Sequence, residues 1–194
     1  MGKARGLRVT AGLAVVLVLG LTMAGPVMAD ERIRARLQGY NEVPAISTSG
    51  IGEFRGKISK DESTIDYELG YEGLLGTVTM SHIHVGQRGV SGGISAWLCQ
   101  TASNAAPAAV SSLTPTCPAP SGSVQGILSA ANVIGPSGQG ITTGEFAELV
   151  KAIRAGVAYV NVHSKDAGSV ATSFNSGEIR GQLRASRSHH GDWD

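Results

Sequence analysis

Little in this chain marks a familiar chemistry. Only 16% of its 194 residues are charged and 5% are aromatic, and Lys+Arg and Asp+Glu nearly cancel at 16 against 15. No basic block stands out along the sequence, which argues against a nucleic-acid partner, and a weak net charge gives no long-range steering. No GxSxG elbow presents a nucleophilic serine. The glycine-rich Gly89–Gly93 lacks the lysine and following helix that a phosphate loop needs. Glu42, Glu53, Asp66, Glu68 and Glu178 have no fixed separation that would make a catalytic carboxylate pair. The expectation is therefore a non-enzymatic protein with no catalytic residue assigned.

Long apolar runs are also scarce. The one at Leu13–Leu21 follows Lys3, Arg5 and Arg8 and precedes the small-residue ending Val27-Met28-Ala29. These are the three parts of a secretory signal peptide over residues 1–29, with an apolar core too short to span a membrane comfortably. Cleavage after Ala29 would leave Asp30 as the N-terminus of a secreted or periplasmic protein. No cysteine follows the apolar run and no paired arginines precede it, which favours ordinary export of an unfolded chain. No later segment has the character of a membrane span. Losing the segment removes three of the 16 Lys+Arg and none of the 15 Asp+Glu, a balance of about −2.

Cysteine is limited to Cys99 and Cys117. In an oxidising compartment the pair is expected to form a disulfide. The alternative, two thiolate metal ligands, fits less well with the Ala/Ser/Pro-rich stretch between them, which reads as a soft loop.

What the chain has in quantity is glycine, 27 residues, punctuating short alternating runs. Arg32–Gln38 sets Arg32, Arg34 and Arg36 opposite Ile33, Ala35 and Leu37, the period-two pattern of a half-buried strand. Gly52–Ser59, Thr64–Tyr71, Ile94–Cys99, Ser123–Ser129, Val157–His163 and Gly177–Arg184 show related runs. Gly39–Gly50, with Pro44 and several turn-formers, reads as a loop. One helix is expected from about Thr143 to Gly156, capped by Thr142 or Thr143, with Phe146, Leu149, Val150 and Ile153 on its apolar stripe. Seven or eight strands and one helix predict an all-β, two-sheet antiparallel Greek-key-like sandwich over residues 30–184, with a flexible tail over 185–194.

The most informative run is Gly73–Gly89, GLLGTVTMSHIHVGQRG. In a strand, His82 and His84 share one face while Ile83 and Val85 share the other. Val157, Tyr159, Asn161 and His163 alternate in the same way with Ala158, Val160 and Val162. Neutral imidazole is a common ligand of copper and zinc, so His82, His84 and His163 form a candidate metal site. Glu178, Tyr159, Asn161 or water are candidates for a fourth position. The bland reading is that these imidazoles bond backbone carbonyls or pack at a sheet edge. Glu178 and Arg180, on one face of the last strand, are expected to form a structural ion pair or cross-strand contacts.

Five ordered motifs carry a resemblance: NEVP at Asn41–Pro44, GLLG at Gly73–Gly76, SHIHVG at Ser81–Gly86, AYVNVHS at Ala158–Ser164 and GEIRGQL at Gly177–Leu183. Together they closely resemble the chordin domain (CHRD domain) family, from about Arg32 to Leu183. The resemblance implies an extracellular β-rich module, but fold alone does not assign an activity. Growth-factor binding by animal chordin also involves cysteine-rich modules, which this chain lacks. The histidine strand is also superficially similar to the copper-ligand strand of copper-zinc superoxide dismutase, with no evident bridging histidine or zinc loop. Three functions stay open: a metal-binding module, a copper-dependent redox enzyme of the superoxide dismutase type, and a purely structural module with an extracellular surface partner.

Overall fold

The computed structural model describes residues 1–2, 31–165 and 173–187. Apart from Met1 and Gly2, the expected signal peptide lies outside the described residues, as does 188–194 of the expected tail. Nine strands form: β1 (Glu31–Gln38), β2 (Ile51–Ile58), β3 (Ile65–Glu72), β4 (Thr77–Val85), β5 (Gly93–Cys99), β6 (Gly122–Leu128), β7 (Ala158–Lys165), β8 (Ser173–Gln182) and β9 (Arg184–Arg187). All the strand pairings are antiparallel.

The two-sheet expectation needs correction. The strands make one sheet in the order β5-β4-β7-β8-β1-β2-β3-β6, with β9 also on β1. The junction explains the difference. β8 meets β1 only at Gln38↔Arg180, and beyond Leu183 the same stretch of chain continues as β9 along β1, pairing Arg34↔Arg184 through Glu31↔Arg187. One strand thus leaves β7 and joins β1, sewing what would be two sheets into a nearly closed, barrel-like one. The edge strands β5 and β6 are not paired, and the Tyr67 hydroxyl on β3, next to β6, bridges that side by donating to Leu98 O on β5 at 2.6 Å. The expected tail also starts later than residue 185, because Ala185–Arg187 belongs to β9.

The enclosed core draws on every alternating run: Ile33, Leu37, Phe54, Ile65 and Leu69 from one half meet Ile83, Leu98, Val160 and Ile179 from the other. Helix α2 (Phe146–Arg154) adds Leu149 and Ile153, the stripe read from sequence. Its start differs from expectation. Glu145 takes the N-cap position without a side-chain cap, and its carboxylate accepts from Thr142 N at 2.6 Å, so neither threonine caps the helix. Its end is as expected, with Gly156 in the left-handed region (φ +70°) that glycine adopts without steric cost. Arg154 in the last turn pairs with the nearly buried Glu31 and with Glu62, both at 2.6 Å, tying the helix to the start of β1 and the β2–β3 turn.

Cys99 and Cys117 form the disulfide, 18 residues apart. The loop between them is more ordered than its composition suggests. It holds a single turn of helix, α1 (Ala108–Ser111), and the Gln100 side chain bonds Ser111 O, Thr114 O and Ala106 N across it. Its Ala106 and Val110 pack on Trp97 in a small second apolar cluster. Replacing both cysteines with serine is expected to lower the unfolding free energy by about 3 kcal/mol, the loop-closure value for such a separation. Urea unfolding of the double variant beside the parent measures it.

Candidate metal centre

Strand β4 is sandwiched between β5 and β7, and this registers its histidines. His82 stands opposite Trp97 on one side and Asn161 on the other; His84 stands opposite Tyr159, and Met80 opposite His163. Because strand side chains alternate, these imidazoles lie on the face away from Ile83 and the main core. The Trp97 cluster lies over them, and all three histidines are buried.

His82, His84 and His163 offer one ligand atom each, all within 4.8 Å of one another. His82 Nδ1 lies 3.1 Å from His163 Nε2, and His163 Nε2 lies 3.1 Å from Asn161 Oδ1. An amide oxygen only accepts, so His163 Nε2 carries the hydrogen and His82 Nδ1 offers a lone pair. His84 Nδ1 donates to Gly92 O at 2.9 Å, leaving Nε2 as its lone-pair atom. That His84 Nε2, and His82 Nε2, are buried without a hydrogen-bond partner. Buried polar atoms are rarely left so. With Nδ1 as its lone-pair atom, His82 Nε2 is an N–H, so of the two it is His84 Nε2 that offers a lone pair to a metal.

Burial dominates the electrostatics. It pushes His82 from 6.5 down to about 2, helped by His163 and His84, and lowers His84 as well, against the Gly92 hydrogen bond. Metal-free His82 and His84 are therefore neutral, the form that ligates metals.

Glu178 does not join them. Fully buried, its carboxylate accepts from Thr48 Oγ1 at 2.5 Å, Leu75 N at 2.6 Å, Gly76 N at 3.4 Å and the Ser164 hydroxyl. It fixes the GLLG turn to the end of β8. Of the two arrangements expected of Glu178 and Arg180, cross-strand contacts form, with Ser164 and Tyr159 on β7, rather than an ion pair between them. Arg180 is 2% exposed, lies 3.3 Å over the Tyr159 ring, and donates through Nη2 to Gln87 O and Val90 O at 3.0 Å. Tyr159 in turn stacks on His84, with rings 4.8 Å apart and 5° from parallel.

Glu42, one of five carboxylates with no fixed separation in the sequence, is buried where the first loop turns in. Burial raises its carboxyl to about 7, with Arg180 opposing. Gly177 (φ +118°) is what makes room: a β-carbon there would collide with Glu42 Oε1 and crowd Asn161 Nδ2. Glu42, Arg180 and Trp97 have no metal-ligand spacing to announce them. The available signal was that Glu42 and Arg180 fall inside the NEVP and GEIRGQL motifs.

Comparison with known families gives one match, of the CHRD domain model to residues 33–183. Searches of curated proteins and of solved structures returned no match.

Two outcomes follow from this geometry. Glu178→Gln leaves several buried donors without a full set of acceptors, and is expected to cost about 2–4 kcal/mol in urea unfolding. The second concerns pH in the metal-free protein. Below 6.5 the unfolded chain protonates His82 while the folded one does not, so stability falls on acidification. Between 4.5 and 7 the folded chain keeps the Glu42 proton that the unfolded one releases, so stability falls as pH rises. The two slopes oppose between 4.5 and 6.5. Glu42→Gln removes one of them, so its stability should drop more steeply than the parent's from pH 6.5 to 4.5, by about 1.4 kcal/mol per unit. Unfolding midpoints at pH 4.5, 5.5 and 6.5 in chelator test this.

Proposed function

This chain belongs to the CHRD domain family, and on that premise we propose that it is an exported, non-enzymatic binding module that holds copper or zinc through His82, His84 and His163. The observation that carries the reading is the convergence of three buried imidazoles with their ligand atoms within 4.8 Å. Three histidines with an open fourth position is a ligand set that zinc and copper accept. The hydrogen bond from His84 Nδ1 to Gly92 O is the outer contact that ligating histidines habitually make, fixing ring and tautomer.

Of the candidates for the fourth position, Glu178 is committed elsewhere and Tyr159 Oη accepts from Gly92 N at 3.2 Å. Asn161 Oδ1, already 3.1 Å from His163 Nε2, and water are the two that the surroundings favour. Binding through the facing nitrogens requires His163 to shift its hydrogen from Nε2 to Nδ1, a change of tautomer that releases no net proton from a neutral ring.

Export is supported by the Cys99–Cys117 disulfide, which suits an oxidising compartment, and by the signal-like N-terminal pattern. Among the described residues no helix is long and apolar enough to cross a membrane.

Calorimetric titration of the protein beginning at Asp30 with copper(II) and with zinc is the test. One equivalent of at least one metal is expected, and the triple variant His82→Ala, His84→Ala, His163→Ala should lose it while circular dichroism reports a retained β-sheet. Glu178→Gln should keep it. Equal stoichiometry in parent and triple variant would overturn the proposal.

A further inference from the structure

The chain's near-neutral charge conceals a strongly cationic face on the other half of the sheet. On β9, β1 and β2 the outward positions carry Arg184, then Arg32, Arg34 and Arg36, then Arg55 and Lys57, all exposed. The acid among them is Glu53, whose carboxylate is held by Arg55 through two hydrogen bonds at 2.8 and 2.9 Å. Glu31, at the end of β1, points inward to Arg154.

Register sharpens this. Arg34 stands directly between Arg184 on β9 and Arg55 on β2, three guanidinium groups abreast. Like charges opposite one another destabilise a sheet, so the arrangement works against folding unless something anionic meets it. Arg55 and Lys57 face Glu68 and Asp66 on β3, which offset that side. The excess therefore concentrates on β9 and β1.

A groove of about 590 Å³ runs along that excess, between Arg34 and Arg36 on one bank and Arg184 and Arg88 on the other. Gln38, Asn41, Gln182, Ser186 and the Arg55-paired Glu53 also line it, while large apolar side chains are missing from the lining. Strand spacing sets the three abreast about 10 Å across, and alternate residues repeat about every 7 Å along β1. Guanidinium groups bind carboxylate and sulfate bidentately, and the neutral amides and hydroxyl match sugar hydroxyls. A lipid surface would call for apolar anchors, which this groove does not supply.

We propose that the groove across Arg34, Arg36 and Arg184 binds a linear acidic polysaccharide, carrying carboxylate or sulfate groups along its chain. The face is built from residues apart from the three histidines, and the inference stands without them.

Binding is measured for the protein beginning at Asp30 on polygalacturonate and dextran sulfate, with neutral dextran, phosphatidylglycerol vesicles and duplex DNA alongside. Binding to at least one of the two anionic polymers and not to dextran is expected, weakening severalfold between 50 and 300 mM salt as the charges are screened. Arg34→Gln with Arg184→Gln should weaken it tenfold or more. That variant relieves like-charge opposition, so its unfolding midpoint at low salt should equal or exceed the parent's. Lys151→Glu on α2, an equal change of two charges away from the groove, should leave binding unchanged. Absence of polymer binding, equal loss in the Lys151 variant, no loss in the arginine variant, or tighter binding to vesicles or DNA than to either polymer would overturn the proposal.

Discussion

The pairing of β4 with β7 is the constraint on which the rest of the structure depends. It sets Ile83 against Val160 on the core side and His82 against Asn161 on the other. A strand has a period of two, so a slip of one residue would send the imidazoles into the apolar core and the isoleucine out beneath Trp97. Neither exchange is tolerable, since the core here is continuous and the opposite face is a polar network closed by Tyr159, Asn161 and Arg180. The same register that satisfies packing therefore brings together three residues that chemistry can use.

Keeping that face uncharged is the second requirement. Desolvation drives His82 and His84 to their neutral form and Glu42 toward its protonated one, by the same physical cause acting on groups of opposite sign. Arg180 alone remains a cation there, and it is held by two carbonyls and an aromatic face rather than by an acid. The nearest acid in sequence, Glu178, is spent on backbone amides and hydroxyls. A site made this way presents lone pairs rather than charges.

How much of this was legible beforehand follows from the range of each interaction. Alternation located nearly every strand, because a half-buried strand writes its two environments into adjacent residues. The stripe of Phe146, Leu149, Val150 and Ile153 did the same for the helix. The shared face of His82 and His84 was local, and that of His163 followed from a matching run. What was not legible was long-range. Glu42 looked like a loop residue because its burial depends on Gly177, far away in sequence. Glu178 looked like a ligand because nothing near it reveals Thr48, Leu75 and Ser164. The cationic face was hidden because its arginines alternate with apolar residues and meet their like-charged neighbours only across strands.

The strand that changes partners at Leu183 has a consequence in time rather than in space. His82 and His163 lie 81 residues apart, and the element that seals their neighbourhood, β8 running into β9, is the last described stretch of the chain. A polypeptide emerging from its N-terminal end carries His82 and His84 long before their surroundings exist. Four of the sheet's eight strand pairings join consecutive strands, but those of β4 with β7 and of β8 and β9 with β1 close over long stretches of chain, the slow kind of contact. The polar face thus depends on pairings between stretches far apart in the sequence, and not on the local hairpins alone.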